Sequence, residues 1–148
     1  MKSFGKRNHR LEYRKRIGAY GIIQNAQQKF LTVAAADGYL FLVGGGLEEK
    51  EEPIAALQRE ILEETGFSAR VGDFLGQAEK HWVSPQYPEW SQHNIGYFYD
   101  CQLLGKIAEP VEKEPIFWAS TVDLEQRLFH EHHLYMVKQF ENGEQGAD

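Results

Sequence analysis

Apolar residues recur along this chain at two spacings, and each spacing indicates the element that a segment forms. Short apolar or alternating runs bounded by turn residues are typical of β-strands. They predict strands over residues 16–25, 29–35, 39–43, 68–80, 93–104 and 116–120. Helices are predicted over Pro53–Thr65 and 131–141, with a short helix capped by Thr121 before the second. Because strands and helices are mixed without a regular βαβ repeat, we expect an α+β fold in which helices cover a mixed sheet.

Glycine and proline mark the boundaries of the first helix. Pro53 suits the first helical position because its missing N–H would have no partner there, and Gly66 ends the helix. The triglycine Gly44–Gly46 follows an apolar strand and is expected to be a loop that approaches the helix closely. Four apolar residues share one broad face of the helix, which is expected to pack on the sheet: Ile54, Leu57, Ile61 and Leu62.

Length, charge and cysteine content limit the class of protein. The chain has 148 residues, a net charge of −6 and one cysteine, Cys101. We expect a single domain over residues 1–148, with a solvated, partly disordered basic leader at 1–15 and a frayed tail at 142–148. One cysteine excludes an internal disulfide, and the chain has neither an apolar run for a membrane span nor a secretory signal. These features favour a cytoplasmic protein.

Seven glutamates lie in the 23 residues 45–67, GGLEEKEEPIAALQREILEETGF. On a helix, Glu60, Glu63 and Glu64 share one arc of about 100°, and Arg59 is spaced to pair with Glu63. Clustered carboxylates repel one another, and a divalent cation reverses that cost. Oxygen ligands at this spacing, with a loop carbonyl nearby, suit Mg²⁺ or Mn²⁺. The alternative is a solvated helix face, since glutamate is a good helix former.

The full spacing of this segment resembles the Nudix box, the signature of the Nudix hydrolases. Every fixed or apolar position of the box is matched, in chain order, by Gly45, Glu51, Arg59, Glu60, Ile61, Glu63, Glu64, Gly66 and Phe67. The resemblance implies the Nudix fold, an α/β/α sandwich with a mixed β-sheet. It also implies Mg²⁺-dependent hydrolysis of a nucleoside diphosphate linked to another group, with Mn²⁺ as an alternative cation.

The resemblance also implies roles for individual residues. The candidate metal ligands are Glu60, Glu63, Glu64, Gly44, Gly45 and Glu112. The glycines would offer a backbone carbonyl, and Glu112 is preferred to Glu114 as a carboxylate a few residues before Trp118. The candidate catalytic residues are Glu63, Glu60, Glu51 and Arg59. Glu63 is our first choice of general base, Glu51 a ligand or water-positioning base, and Arg59 the residue that orients the carboxylates.

The box does not identify the substrate. An expected long loop, HWVSPQYPEWSQ, contains Trp82, Tyr87 and Trp90, which would stack on a base or instead pack against the core. The strand before the triglycine lacks the arginine that often binds phosphate in this family. Other candidates for that role are Arg14, Arg16, Lys80 and the basic leader. No metal site is expected at HEHH, residues 130–133, because no other ligand spacing supports one.

Three functions remain open at this point. The first is a pyrophosphohydrolase, with a nucleoside triphosphate slightly favoured over a dinucleoside polyphosphate or a nucleotide sugar. The second is a non-catalytic nucleotide-sensing module, against which the intact set of carboxylates argues. The third is an isomerase of an isoprenoid diphosphate, which the lack of a motif around Cys101 disfavours. The expected partner is a small nucleotide, with no membrane and no nucleic-acid polymer, and a homodimer is left open.

Overall fold

A computed structural model describes residues 1–143 of the chain. Its elements, in chain order, are β1 (Lys2–Gly5), β2 (Glu12–Ile22), β3 (Phe30–Ala34), β4 (Leu40–Leu42), β5 (Gly44–Gly46), α1 (Pro53–Thr65), β6 (Phe67–Trp82), β7 (Trp90–Lys106), β8 (Ile116–Ala119), α2 (Thr121–Arg127) and α3 (Glu131–Glu141). The predicted frayed tail extends beyond the described residues from position 144.

The strands form two sheets. The larger sheet has the order β1-β6-β7-β2-β5, and the smaller has the order β4-β3-β8. In the larger sheet β2 runs parallel to β7 and β1 runs parallel to β6, whereas β6 and β7 are antiparallel. This combination confirms the prediction of a mixed sheet.

Helices cover both faces of the larger sheet. On one face, Leu57 and Ile61 of α1 pack with Ala19 and Val43. On the other face, Met136 and Val137 of α3 belong to a second buried cluster, which includes Ile22 and Phe98. Apolar burial of these clusters holds the helices in place. The architecture is the α/β/α sandwich that the resemblance to the Nudix hydrolases implies.

Several local expectations are wrong. The leader is not a disordered arm, because Lys2–Gly5 form a strand and β2 already begins at Glu12. The triglycine is a short strand rather than a loop, since Gly44–Gly46 pair with Gly18–Tyr20 of β2. The N-cap of α2 is Ser120 and not Thr121. The backbone N–H of Asp123, three residues after Ser120, donates to the Ser120 hydroxyl oxygen at 3.1 Å.

Two further corrections concern the first helix and the aromatic segment. Ile54 is 45% exposed, because the buried side of α1 is formed by Ala56, Leu57 and Ile61. The connection expected to be a long loop is shortened to residues 83–89, since β6 runs to Trp82 and β7 starts at Trp90. Cross-strand pairing of these extended ends explains the difference, because hydrogen bonding between strands overrides the local turn signals. No helix within residues 1–143 has the length and apolar character to cross a membrane.

Candidate metal and nucleotide site

The helix α1 carries the central carboxylates and is fixed at both ends. Pro53 occupies its first turn, and Gly66 closes it in a left-handed conformation with φ 79°, donating its N–H to the carbonyl of Leu62. Buried Leu57 and Ile61 hold the inner face against the sheet. The polar edge of the last two turns is therefore presented in one orientation.

The strand β5 lies directly against this polar edge. The backbone N–H of Gly44 donates to Glu64 Oε1 at 2.9 Å. A methyl group added at Gly45 would lie 2.7 Å from the carboxyl carbon of Glu60, which is closer than non-bonded carbons approach. The absence of side chains in β5 thus allows its backbone to contact the helix carboxylates.

Three carboxylates converge beside this contact. One oxygen each from Glu60, Glu63 and Glu112 lies within 4.8 Å of the other two. Glu112 is brought there by its loop, because the N–H groups of Val111 and Glu112 donate to the carbonyl of Glu63 at 2.8 and 3.0 Å. An all-oxygen donor set of this kind fits a hard divalent cation such as Mg²⁺ or Mn²⁺.

Burial disfavours the ionised forms of Glu60, which belongs to this group, and of Glu64, which lies beside it. Burial, together with the neighbouring Glu60 and Glu112 charges, raises the pKa of Glu64 to about 8, although the hydrogen bond from Gly44 lowers it. Burial also raises the pKa of Glu60, against the lowering effect of Arg59. A cation between these groups would favour their ionised forms, which is the opposite of what burial does.

Arg59 ties the loop before the helix to the carboxylates. Its guanidinium donates to both oxygens of Glu51, Nε to Oε2 at 2.8 Å and Nη2 to Oε1 at 3.0 Å. Its Nη1 donates to Glu60 at 3.1 Å and to Glu63 at 3.2 Å. The Arg59 hydrogen bonds lower the pKa of Glu51 to about 2. Glu51 is therefore held as the partner of Arg59, and it is not among the three converging carboxylates.

A cavity of about 430 Å³ begins at β5 and extends between the two sheets. At the β5 end it is lined by Gly44–Gly46, Glu64 and Arg16. The Arg16 guanidinium occupies the space that a side chain at Gly46 would need. Arg16 therefore places a positive charge at the same end of the cavity as Glu64. Glu114 also lines the cavity, whereas Glu112 belongs to the carboxylate cluster.

Aromatic and histidine side chains line the far end of the cavity. His132 and His133 are 1% and 2% exposed, and burial lowers the pKa of both, so they are neutral. Among the described residues, the Nδ1 atoms of both rings and the Nε2 atom of His133 have no hydrogen-bond partner. Trp82 lines the same end, and its indole N–H donates to Asn94.

The remaining candidates lie in different places. Lys80 is buried next to the histidines, 3.3 Å from His130 Nδ1 and 4.4 Å from the centre of the Trp82 ring, and burial lowers its pKa. It lies two strands from Arg16 in the same row of the sheet, because Asn94 of β7 is the register partner of both residues. Tyr87 and Trp90 stack on each other at 4.6 Å, and neither lines the cavity.

The sequence interpretation missed the histidines as cavity residues, although a signal was present. His132 and His133 precede the buried Met136 and Val137 by four residues, which is the spacing of one helix face. That spacing predicts buried rings on the inner face of α3. The contribution of Asn94 carried no comparable signal, because its strand alternates polar and apolar residues throughout.

Comparisons with known proteins agree with this geometry. A family model described as NUDIX domain matches residues 14–140. A search of curated protein sequences gave no match. Among solved structures, a NUDIX hydrolase from Nitrosomonas europaea is similar with a TM-score of 0.72 and 18% identity, covering 89% of this chain and 92% of that one.

Two other solved structures share the fold. A MutT protein from Methanosarcina mazei Go1 has a TM-score of 0.70 and 21% identity, over 90% of this chain and 97% of that one. An ADP-ribose pyrophosphatase from Streptococcus suis has a TM-score of 0.54 and 20% identity, over 74% of this chain and 76% of that one. The family match spans most of the chain and includes the complete box, so this chain belongs to the Nudix hydrolase family.

Proposed function

We propose that this protein is a Mg²⁺-dependent pyrophosphohydrolase that cleaves a phosphoanhydride bond in a nucleoside diphosphate linked to another group. One observation carries the proposal: carboxylate oxygens of Glu60, Glu63 and Glu112 converge within 4.8 Å of one another. The same helix edge reaches the cavity through Glu64. Mn²⁺ is the alternative cation, because it accepts the same oxygen ligands.

The carboxylates and Arg59 have different roles in the proposed reaction. When bound, the cation would neutralise charge on the phosphoryl oxygens and make a nearby water more acidic. Glu63 is our choice of general base, accepting the proton of the attacking water at a carboxylate oxygen, with Glu60 the next choice. Arg59 positions both, since Nη1 donates to each of them. Glu51 acts through Arg59, because its two oxygens bind the guanidinium.

The cavity supports a nucleotide as the substrate. Its β5 end offers Arg16 for a phosphate, and its far end offers Trp82 and neutral histidine rings for a flat, uncharged base. Tyr87 and Trp90 are therefore no longer favoured as base-stacking residues, because they lie outside the cavity.

A nucleoside triphosphate remains slightly favoured as the substrate, with a dinucleoside polyphosphate or a nucleotide sugar as alternatives. Solved structures of the same fold include proteins named MutT protein and ADP-ribose pyrophosphatase, and those names span this range. A nucleotide-sensing module without catalysis is the competing function. The intact carboxylate cluster and its positioning arginine favour the enzyme over the sensor.

The test is a screen of purified protein against nucleoside triphosphates, dinucleoside polyphosphates and nucleotide sugars, with phosphate and pyrophosphate as readouts. We expect Mg²⁺-dependent turnover of at least one class, reduced at least about 100-fold in Glu63→Gln. Glu48→Gln is the matched control, because Glu48 is exposed and its ion pair with Arg59 is long, at 3.8 Å, and therefore weak. Nucleotide binding without turnover would support the sensor instead. The single domain and the cytoplasmic location stay predictions, and a homodimer stays open.

A further inference from the structure

A second group of metal-binding residue types lies on β6 and β7, away from the carboxylate cluster. His81 and His93 are cross-strand partners, and Glu79 precedes His81 by two residues. Since side chains alternate between the faces of a strand, all three project from the same face. The adjacent residues Lys80 and Asn94 project from the other face, towards the histidine end of the cavity.

The donor atoms of these three residues converge. One atom each from Glu79, His81 and His93 lies within 4.8 Å of the other two. The rings of His81 and His93 are nearly parallel, with centroids 4.1 Å apart and an interplanar angle of 11°. His93 is engaged on both sides, by Glu79 at 2.6 Å from Nε2 and by the Tyr13 hydroxyl at Nδ1.

His81 differs from His93 in its bonding. Its Nδ1 atom is buried and, within residues 1–143, has no hydrogen-bond partner. A buried ring nitrogen without a partner is costly, so such atoms are uncommon in folded proteins. The neighbouring side chains of His93 and Glu79 are only 12% and 18% exposed, which limits the access of bulk water to the group.

We propose that Glu79, His81 and His93 bind a divalent transition cation of the zinc class. Two imidazole nitrogens and one carboxylate oxygen are a donor set for Zn²⁺ and its neighbours, whereas Mg²⁺ prefers oxygen ligands alone. A water would complete a tetrahedral arrangement, and the Tyr13 hydroxyl at Nδ1 would orient the His93 ring from its other side. If Nδ1 is the ligand atom of His81, coordination would also give this nitrogen the partner that it lacks.

The position of this site indicates a structural role. It lies on the face of the β6–β7 ladder opposite the cavity, and Tyr13 belongs to β2, which is the other neighbour of β7. A bound ion would join β6 to β7 and brace the start of β2. It would not need to contact a substrate in the cavity, so its loss is expected to lower stability and leave hydrolysis unchanged.

Titration of metal-free, full-length protein with Co²⁺ tests the proposal, because tetrahedral Co²⁺ absorbs visible light far more strongly than octahedral Co²⁺. We expect an intense spectrum saturating at about one equivalent, displaced by Zn²⁺ but not by Mg²⁺. His81→Gln and His93→Gln should each weaken binding at least about tenfold. His9→Gln is the control, because His9 is exposed and lies outside the group.

Glu60→Gln separates this site from the carboxylate cluster, and it should leave the strong Co²⁺ spectrum intact. A weak, octahedral spectrum for the wild-type protein would overturn the proposal, even if a variant does not fold. Equal Co²⁺ affinity in a double variant of His81 and His93 would also overturn it. So would loss of the spectrum in His132→Gln alone, which would assign the ion to the cavity histidines. Failure of this test leaves the proposed hydrolysis unaffected, because the two residue sets do not overlap.

Discussion

Replacing Gly45 with alanine tests whether β5 positions the carboxylates that we propose as metal ligands. The added methyl carbon would lie 2.7 Å from the carboxyl carbon of Glu60, and 2.8 and 2.9 Å from its two oxygens. Ordinary carbon contacts begin near 3.4 Å, so the carboxylate has to move by about 0.7 Å. Metal–ligand distances vary by only about 0.2 Å between proteins. The displaced Glu60 therefore cannot keep its place in the converging group.

The effect should appear in metal activation and not in folding. The end of the Glu60 side chain can swing aside, so we expect the free energy of unfolding to change by less than about 1 kcal/mol. The Mg²⁺ concentration for half-maximal hydrolysis should rise at least about tenfold. Measuring the rate against Mg²⁺ concentration at saturating substrate, with urea unfolding in parallel, separates the two quantities.

Gly105→Ala is the matched control for this substitution. Gly105 also lies in a strand, and a methyl group there would meet no atom within 4 Å. We expect its Mg²⁺ activation curve to match the wild-type curve. An unchanged curve for Gly45→Ala, in a folded protein, would refute the inference that Glu60 must occupy its observed position to hold the cation.

Three further predictions concern the cavity and the metal. Burial lowers the pKa of His132 from 6.5 to about 3, so the free energy of unfolding falls as the pH decreases from 6.5 towards 3. In urea unfolding, His132→Gln should reduce this pH slope by about 1.4 kcal/mol per pH unit below pH 6. An unchanged slope would contradict the prediction. Trp82→Ala should raise KM by the equivalent of roughly 1–3 kcal/mol with kcat less affected, and Tyr87→Ala should change neither; equal KM effects would contradict the assignment of the base to the cavity. Mg²⁺ should raise Tm in the wild-type protein but much less in Glu60→Gln, and equal rises would place the stabilising ion elsewhere.

Much of the fold could be predicted because its signals are local. Pro53 and Gly66 mark the ends of α1, and the structure has the helix over the same residues. The strands were found from their apolar runs, although their ends were misjudged at Trp82 and Trp90. Those ends depend on pairing between β6 and β7, which a single stretch of sequence does not express.

The placement of the helix carboxylates along one edge of α1 was also predictable from their spacing. The arc of about 100° that contains Glu60, Glu63 and Glu64 follows from the rotation of about 100° per residue in an α-helix. The position of Glu112 could only be guessed, because it depends on the loop hydrogen bonds to the carbonyl of Glu63. Such contacts between distant residues leave no periodic signal.

The part of the cavity lined by Trp82, where we propose that the base binds, was the least predictable. Trp82, Tyr87 and Trp90 looked equivalent in sequence, but only Trp82 lines the cavity. The alternation of side chains along β6 determines that Trp82 faces the cavity. Lys80 and Trp82 project from the cavity face of the strand, and His81 projects from the opposite face. The register of a long strand must be known before such alternation can be used.

The central claim is that Glu60, Glu63 and Glu112 together form the cation site that hydrolysis requires. The most direct test is titration of metal-free protein with Mn²⁺, reading bound and free ion by electron paramagnetic resonance while the hydrolysis rate is followed in the same sample. We expect binding and activity to rise together, with affinity reduced at least about tenfold in each glutamine variant of the three residues and unchanged in Glu48→Gln. Full activity without bound Mn²⁺ after exhaustive chelation, or equal affinity in all four variants, would contradict the account.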